Sequence, residues 1–194
     1  MLNSEYLSNL NENQREAVEC LDGPLLIVAG AGSGKTKVLT SRIAHIIKKN
    51  KAFPNQILAV TFTNKAAKEM QLRVSKLLRK DATGLPWLGT FHSISAKLLR
   101  KHADAVGLKS NFSIIDQDDQ VRLLKNICKA ENVDIKKISP KFILAIIDKW
   151  KNKGFYPQDV ILKRKDPLEK NFLSIYKIYQ EKLINLNSTD FSDL

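Results

Sequence analysis

The eight residues Ala29 to Thr36, AGAGSGKT, begin on the last residue of the apolar run PLLIVA, and no other stretch of the chain limits its fold so tightly. The octet matches G-x-x-x-x-G-K-[ST] at every position but the first, where Ala29 stands in place of glycine. A strand before such a loop and a helix after it bring the backbone N–H groups of Gly30, Ala31, Gly32, Ser33, Gly34 and Lys35 to a helix N-terminus, aimed at a phosphate. Gly32 and Gly34 supply backbone freedom where a Cβ would block the approach. Lys35 then reaches the β- and γ-phosphates, and the Thr36 hydroxyl holds Mg²⁺. A flexible glycine turn at a strand end would need neither the lysine nor the threonine. Both are present, so the octet is expected to bind a nucleotide.

The flanking pattern fits such a loop. PLLIVA (24–29) and QILAVTF (56–62) read as buried strands by length and β-branching, WLGTF (87–91) as a third and FSII (112–115) as a fourth. Helical spacing runs between them. It covers 11–21 with Asn11 as a cap, 35–49 with Leu39, Ile43, Ile46 and Ile47 on one face, 64–78 with Ala66, Met70, Val74 and Leu77 inward, and SISAKLLRKHA. Strands alternating with helices predict a parallel sheet covered by helices, an α/β fold. From Gln117 the texture changes. Helical stretches at 117–131, 140–152 and 167–186 are joined by polar or proline-bearing links, with no further strand expected. An α/β domain followed by a helical domain results.

Charge points to a partner. The net charge of the 194 residues is +12, distributed as +1 over 1–50, +8 over 51–110 and +3 over 111–194. Concentration in the segment after the glycine-rich loop suggests a polyanion. No run of apolar residues is long enough to span a membrane. The N-terminus is polar and acidic where a signal peptide would be basic and then apolar. Cys20 and Cys128, far apart in sequence, read as reduced core residues of a cytosolic protein.

Four stretches in order, LNENQREAVE, LLIVAGAGSGKTKVL, ILAVTFTNKAAKEM and LGTFHS, closely resemble the start of UvrD/Rep/PcrA-type helicases of superfamily 1. STDFSDL resembles the segment that closes their inserted helical domain, so the resemblance runs nearly end to end. It implies a RecA-like P-loop NTPase motor domain over 1–112, an all-helical inserted domain over 113–187 and a return to the motor domain over 188–194. It implies ATP and Mg²⁺ as cofactors, single-stranded and junction DNA as partners, and a cytoplasmic location. The implied activity is that of an ATP-dependent helicase or translocase moving 3′ to 5′ in DNA repair or replication restart. Two alternatives stand beside it: the motor of a helicase–nuclease of the RecB/AddA type, and a standalone P-loop ATPase or kinase.

The resemblance assigns roles residue by residue. Gln14 matches a glutamine that reads the adenine edge, a task suited to an amide with both donor and acceptor. Asn11-x-x-Gln14 is also the spacing of a capping box, and both readings stay open. Lys37 stands where relatives commonly carry arginine against the base; lysine keeps the charge and loses the flat stacking surface. Phe62 falls at a strand's C-terminal end, where open α/β sheets place their ligands. The resemblance makes it a surface for a stacked base, the alternative being ordinary core. Thr63 and Asn64 open a helix whose N–H groups can take a DNA phosphate, with Lys65 and Lys68 as nearby positive charge. Thr90 and His92 of GTFHS are further candidate DNA contacts. KWKNKGFYP (149–157) sets aromatics among lysines and reads either as a DNA contact or as a solvated helix end with Trp150 packed inward.

A motor also needs an acidic pair, usually an apolar strand ending in Asp-Glu, to hold Mg²⁺ and activate water. FSIIDQDD (112–119) has Gln117 in the glutamate's place, and in the family pattern it leads only into the inserted domain. Relatives carry the Asp-Glu motif and a second motor domain, with its arginines, further on. The chain is therefore expected to be the N-terminal part of a helicase, cut before its catalytic centre is complete. It is expected to bind nucleotide and single-stranded DNA while hydrolysing little ATP.

Overall fold

The computed structural model describes residues 5–78, 84–161 and 167–194. The chain divides into two units, Met1–Ile94 and Ser95–Leu194. Among the described residues no helix is long and apolar enough to cross a membrane.

In the first unit the elements are α1 (Glu5–Ser8), α2 (Glu12–Glu19), α3 (Lys35–Lys48), β1 (Ala59–Thr61), α4 (Asn64–Leu78) and β2 (Leu88–Thr90). Helix α5 (Phe91–Lys101) begins here and runs into the second unit. A full capping box opens α2: Asn11 Oδ1 accepts the Gln14 N–H at 2.9 Å, and the Asn11 N–H donates to Gln14 Oε1 at 3.2 Å. β1 and β2 pair in parallel, Ala59 opposite Leu88 and Thr61 opposite Thr90. Ile43 of α3 and Met70 and Val74 of α4 pack with Ala59 and Leu85 in one core, while Leu10, Val18 and Val38 join α2 to α3. The buried row of α4 begins at Ala67, one position beyond Ala66. Leu39, expected inward, is 40% exposed, and Val38 and Ala44 take its place. Tyr6 of α1 reaches α3, its hydroxyl 2.8 Å from Nδ1 of the buried His45. Burial, then the nearby Lys49 charge, hold that imidazole below its ordinary pKa, against a smaller opposing pull from Glu19.

The expectation of a buried strand at 24–29 is corrected. The segment lies outside any strand, with Leu26 and Val28 each 86% exposed. A strand forms by pairing with neighbours, and among the described residues none pairs with 24–29, so its apolar side chains are left uncovered.

The second unit holds β3 (Ser113–Ile114), α6 (Gln117–Ala130), α7 (Pro140–Lys151), α8 (Pro167–Asn185) and β4 (Ser188–Thr189). Its helices form where the periodicity places them. Asp116 caps α6 by accepting the Asp119 N–H at 2.9 Å, and Ser139 caps α7, with Pro140 as its first residue. A strand does return after Gln117, contrary to expectation. β4 pairs in parallel with β3, so FSII finds its partner there and not in the sheet of the first unit. Leu99, Ala103, Leu108 and Phe112 pack with Ile114, which draws the chain from α5 onward into this unit. The main core joins α6, α7 and α8 through Leu124, Ile143, Ile147, Tyr176 and Tyr179. Cys128 lies in that core, where burial pushes its thiol pKa up, whereas Cys20 ends α2 and is exposed, correcting its assignment to a core.

At the foot of these helices is a buried ionic cluster. Lys151 Nζ lies 2.7 Å from Asp190 Oδ2 and 2.7 Å from Asp193 Oδ1. The Tyr179 hydroxyl donates to Asp190 Oδ2 at 2.9 Å, while Asp190 Oδ1 accepts the N–H groups of Ser192 and Asp193. Burial, followed by the Asp190 charge, raises the Tyr179 pKa well above the usual tyrosine range, so it remains a donor.

Candidate nucleotide and DNA site

The loop at 30–34 is a tight turn whose bends depend on glycine. Gly32 (φ +75°) and Gly34 (φ +88°) occupy the left-handed region, and Gly34 is the N-cap of α3. Gly30 O accepts both the Ser33 N–H, at 3.4 Å, and the Ser33 hydroxyl, at 2.8 Å. From the first turn of α3, Lys35 folds back over this turn. Its Nζ donates to Ala29 O and Gly30 O, each at 2.6 Å. An ammonium held at the mouth of a glycine turn, on a helix N-terminus, is an arrangement that attracts and orients a polyphosphate. Thr36 is exposed one residue on, and its carbonyl accepts the Thr40 hydroxyl at 2.9 Å, which braces the first turn.

Gln14 comes to this loop from α2, and its Nε2 donates to Ser33 O at 3.0 Å. The structure thus brings Gln14, Ser33, Gly34 and Lys35 together. Lys37 turns elsewhere, donating from Nζ to Asn9 O.

Phe62 follows the last residue of β1 and is 90% exposed, which rules out the core alternative. Its ring centroid lies 5.5 Å from that of Phe91, itself 49% exposed. Sequence reasoning missed Phe91, although a signal existed. Thr61 faces Thr90 across the parallel pair, so the residue that follows each strand is an aromatic, and the register sets the two side by side. Thr63 accepts the Ala66 N–H at its Oγ1, 3.2 Å away, and so starts α4. Asn64, Lys65 and Lys68 are exposed along the same helix. Thr90 is buried. Its N–H donates to Ser93 Oγ at 2.9 Å and its Oγ1 accepts the Ser93 N–H at 3.3 Å, so its side chain holds the start of α5. His92 is exposed on the first turn of that helix.

Other candidates from the sequence take structural places. Trp150 stacks on Tyr176 with centroids 5.8 Å apart, as the inward reading expected, while Phe155 and Tyr156 remain partly exposed. Asp116 serves as a helix cap. Among the described residues no group of three His, Cys, Asp or Glu side chains could hold a metal ion.

Comparison with known proteins gives the family of the chain. The model of the UvrD/REP helicase N-terminal domain matches residues 10–194. The chain is 47% identical to a probable DNA helicase II homolog of Rickettsia conorii, the match covering 100% of this chain and 30% of that protein. It is 44% identical to the ATP-dependent DNA helicase PcrA of Staphylococcus epidermidis, over 97% of this chain and 26% of the relative. The PcrA of Leuconostoc citreum is 43% identical, with coverage of 98% and 26%. The chain therefore spans less than a third of the length of these curated relatives. With a family model that matches residues 10–194, nearly the whole chain, this protein belongs to the UvrD/REP helicase N-terminal domain family.

Proposed function

We propose that this chain is the nucleotide- and DNA-binding N-terminal part of an ATP-dependent DNA helicase that translocates 3′ to 5′ in DNA repair or replication restart. The observation that carries the reading is the Lys35 ammonium held across the glycine turn at the start of α3. Backbone donors of residues 30–35 and the α3 dipole take the β-phosphate, and Lys35 exchanges the Ala29 and Gly30 carbonyls for phosphate oxygens. The Thr36 hydroxyl, a hard oxygen donor, holds Mg²⁺, which neutralises charge on the phosphates when bound. Gln14 contacts the adenine through whatever amide capacity its two present bonds leave, and Lys37 lies at the edge of the base.

Phe62 and Phe91 form a platform for a stacked base, with Asn64, Lys65 and Lys68 beside the backbone phosphates and His92 at the rim. Thr63 and Thr90 support the platform as helix caps. Residues 1–112 act as the RecA-like motor part, 113–187 as the inserted helical domain that meets junction DNA, and 188–194 as the return, in a protein working in the cytoplasm.

Turnover is slow in these 194 residues by themselves. Their sequence contains no Asp-Glu pair, and Asp116 is committed to a cap. In related phosphoryl transfer, the lack of a charge-stabilising arginine alone costs on the order of 10³–10⁵ in rate. The test is phosphate release and strand separation by a longer protein that carries this chain, with the 194-residue chain in parallel. The longer protein should unwind a duplex with a 3′ tail and not one with a 5′ tail, with ATP turnover stimulated by single-stranded DNA and lost in Lys35→Ala. The 194-residue chain should stay near the Lys35→Ala background. Unwinding from a 5′ tail, or turnover indifferent to DNA, would contradict the proposal.

A further inference from the structure

We infer that Gln14 is a positioning residue for the phosphate loop itself, so that it governs binding of the phosphate chain and not only of a base. The inference rests on the phosphate-loop reading above and adds a role to it. The side-chain amide of Gln14 is shared between two elements. Oε1 accepts the Asn11 N–H at 3.2 Å within the capping box, and Nε2 donates to Ser33 O at 3.0 Å.

The helix that carries Gln14 is fixed to α3 from two directions. Val18 is fully buried with Leu10 and Val38, and the Arg42 guanidinium of α3 donates to Ala17 O at 2.7 Å and also to Cys20 O. Gln14 therefore reaches the loop from a rigid support. A trans peptide is planar, with its C=O and N–H on opposite sides. The Ser33 carbonyl and the Gly34 N–H belong to one such peptide, so the bond that fixes the carbonyl also fixes the direction of that N–H. The Gly34 N–H is one of the donors the phosphate loop offers at the start of α3.

The local packing supports the same role. A Cβ built on Gly34 would lie 2.9 Å from Gln14 Nε2, so the amide rests in the space that glycine leaves open. Gly34 is already bound to glycine by its φ of +88°. The amide has a second N–H and a second lone pair for a base, and positioning does not displace adenine reading.

Magnesium tripolyphosphate has no base and separates the two roles. Its affinity is measured by titration calorimetry on the 194-residue chain, on Gln14→Glu and on Gln14→Ala, with Lys35→Ala as background and Mg·ATP in parallel. Glu keeps the cap acceptor and loses the donor, while Ala loses both and adds no charge, so a loss common to the two traces to Nε2. Both variants should weaken tripolyphosphate binding by at least about threefold, the size expected of one neutral hydrogen bond, and ATP binding by no less. Tripolyphosphate affinity unchanged in either variant, with ATP affinity reduced, would overturn the inference and leave Gln14 as a base reader alone. Wild-type binding no tighter than Lys35→Ala would overturn the phosphate-loop reading and the inference with it.

Discussion

Phe62 and Lys65 stand three residues apart and act through different physics. A phenylalanine 90% exposed gains nothing from burial, so its removal leaves the folded state nearly unchanged. On the proposed DNA platform, Phe62→Ala should weaken single-strand binding by about 1–3 kcal/mol, at any salt concentration. Lys65→Ala should instead lower the salt slope of binding by about one phosphate contact. Fluorescence anisotropy with an oligothymidine across a salt series measures both. A Phe62→Ala protein that melts early yet binds DNA normally would contradict the platform. Gly89 shows a different constraint at this scale. Its backbone is ordinary, but an added Cβ would meet Ser93 Oγ at 2.6 Å and Ile94 Cδ1 at 3.2 Å, and that hydroxyl is held by Thr90. The need for a small residue there is a matter of packing between β2 and α5, and no turn signal in the sequence announces it.

The elements differ in how legible they are. Helices α6 and α7 begin at the caps Asp116 and Ser139 and follow a 3.6-residue pattern, all of it local information. Strands depend on partners. PLLIVA has the composition of a buried strand but lies open because nothing described pairs with it, and FSII pairs with Ser188–Thr189, some 75 residues away by their numbers. The Lys151 cluster was equally hidden, since its members are 39 and 42 positions from the lysine and look like surface charges in sequence. Its energetic weight follows from burial: Lys151 and Asp190 side chains are 3% and 0% exposed. Lys151→Ala leaves Asp190 buried without its counter-charge, and removal of one partner of such a pair costs about 3–5 kcal/mol. Urea unfolding followed through Trp150 fluorescence should record a loss of that size. A loss under about 1 kcal/mol, the value typical of exposed pairs, would show that the cluster is not a structural joint.

At the scale of the whole chain, order along the sequence was more informative than any single segment. The glycine octet with its lysine and hydroxyl, the aromatic after β1 and the stretch GTFHS point together to one family, and the family model matches residues 10–194. What the sequence left open were contacts made across the fold. Gln14 satisfies the capping box and touches the loop at once, and Phe91 joins Phe62 through strand register. The central claim is that Lys35 and the turn before it hold a nucleoside triphosphate. Titration calorimetry of Mg·ATP into the 194-residue chain and into Lys35→Ala tests it most directly. The account predicts measurable binding that falls by at least about tenfold when the charge-assisted contact is removed. Equal affinity in the two proteins would contradict it.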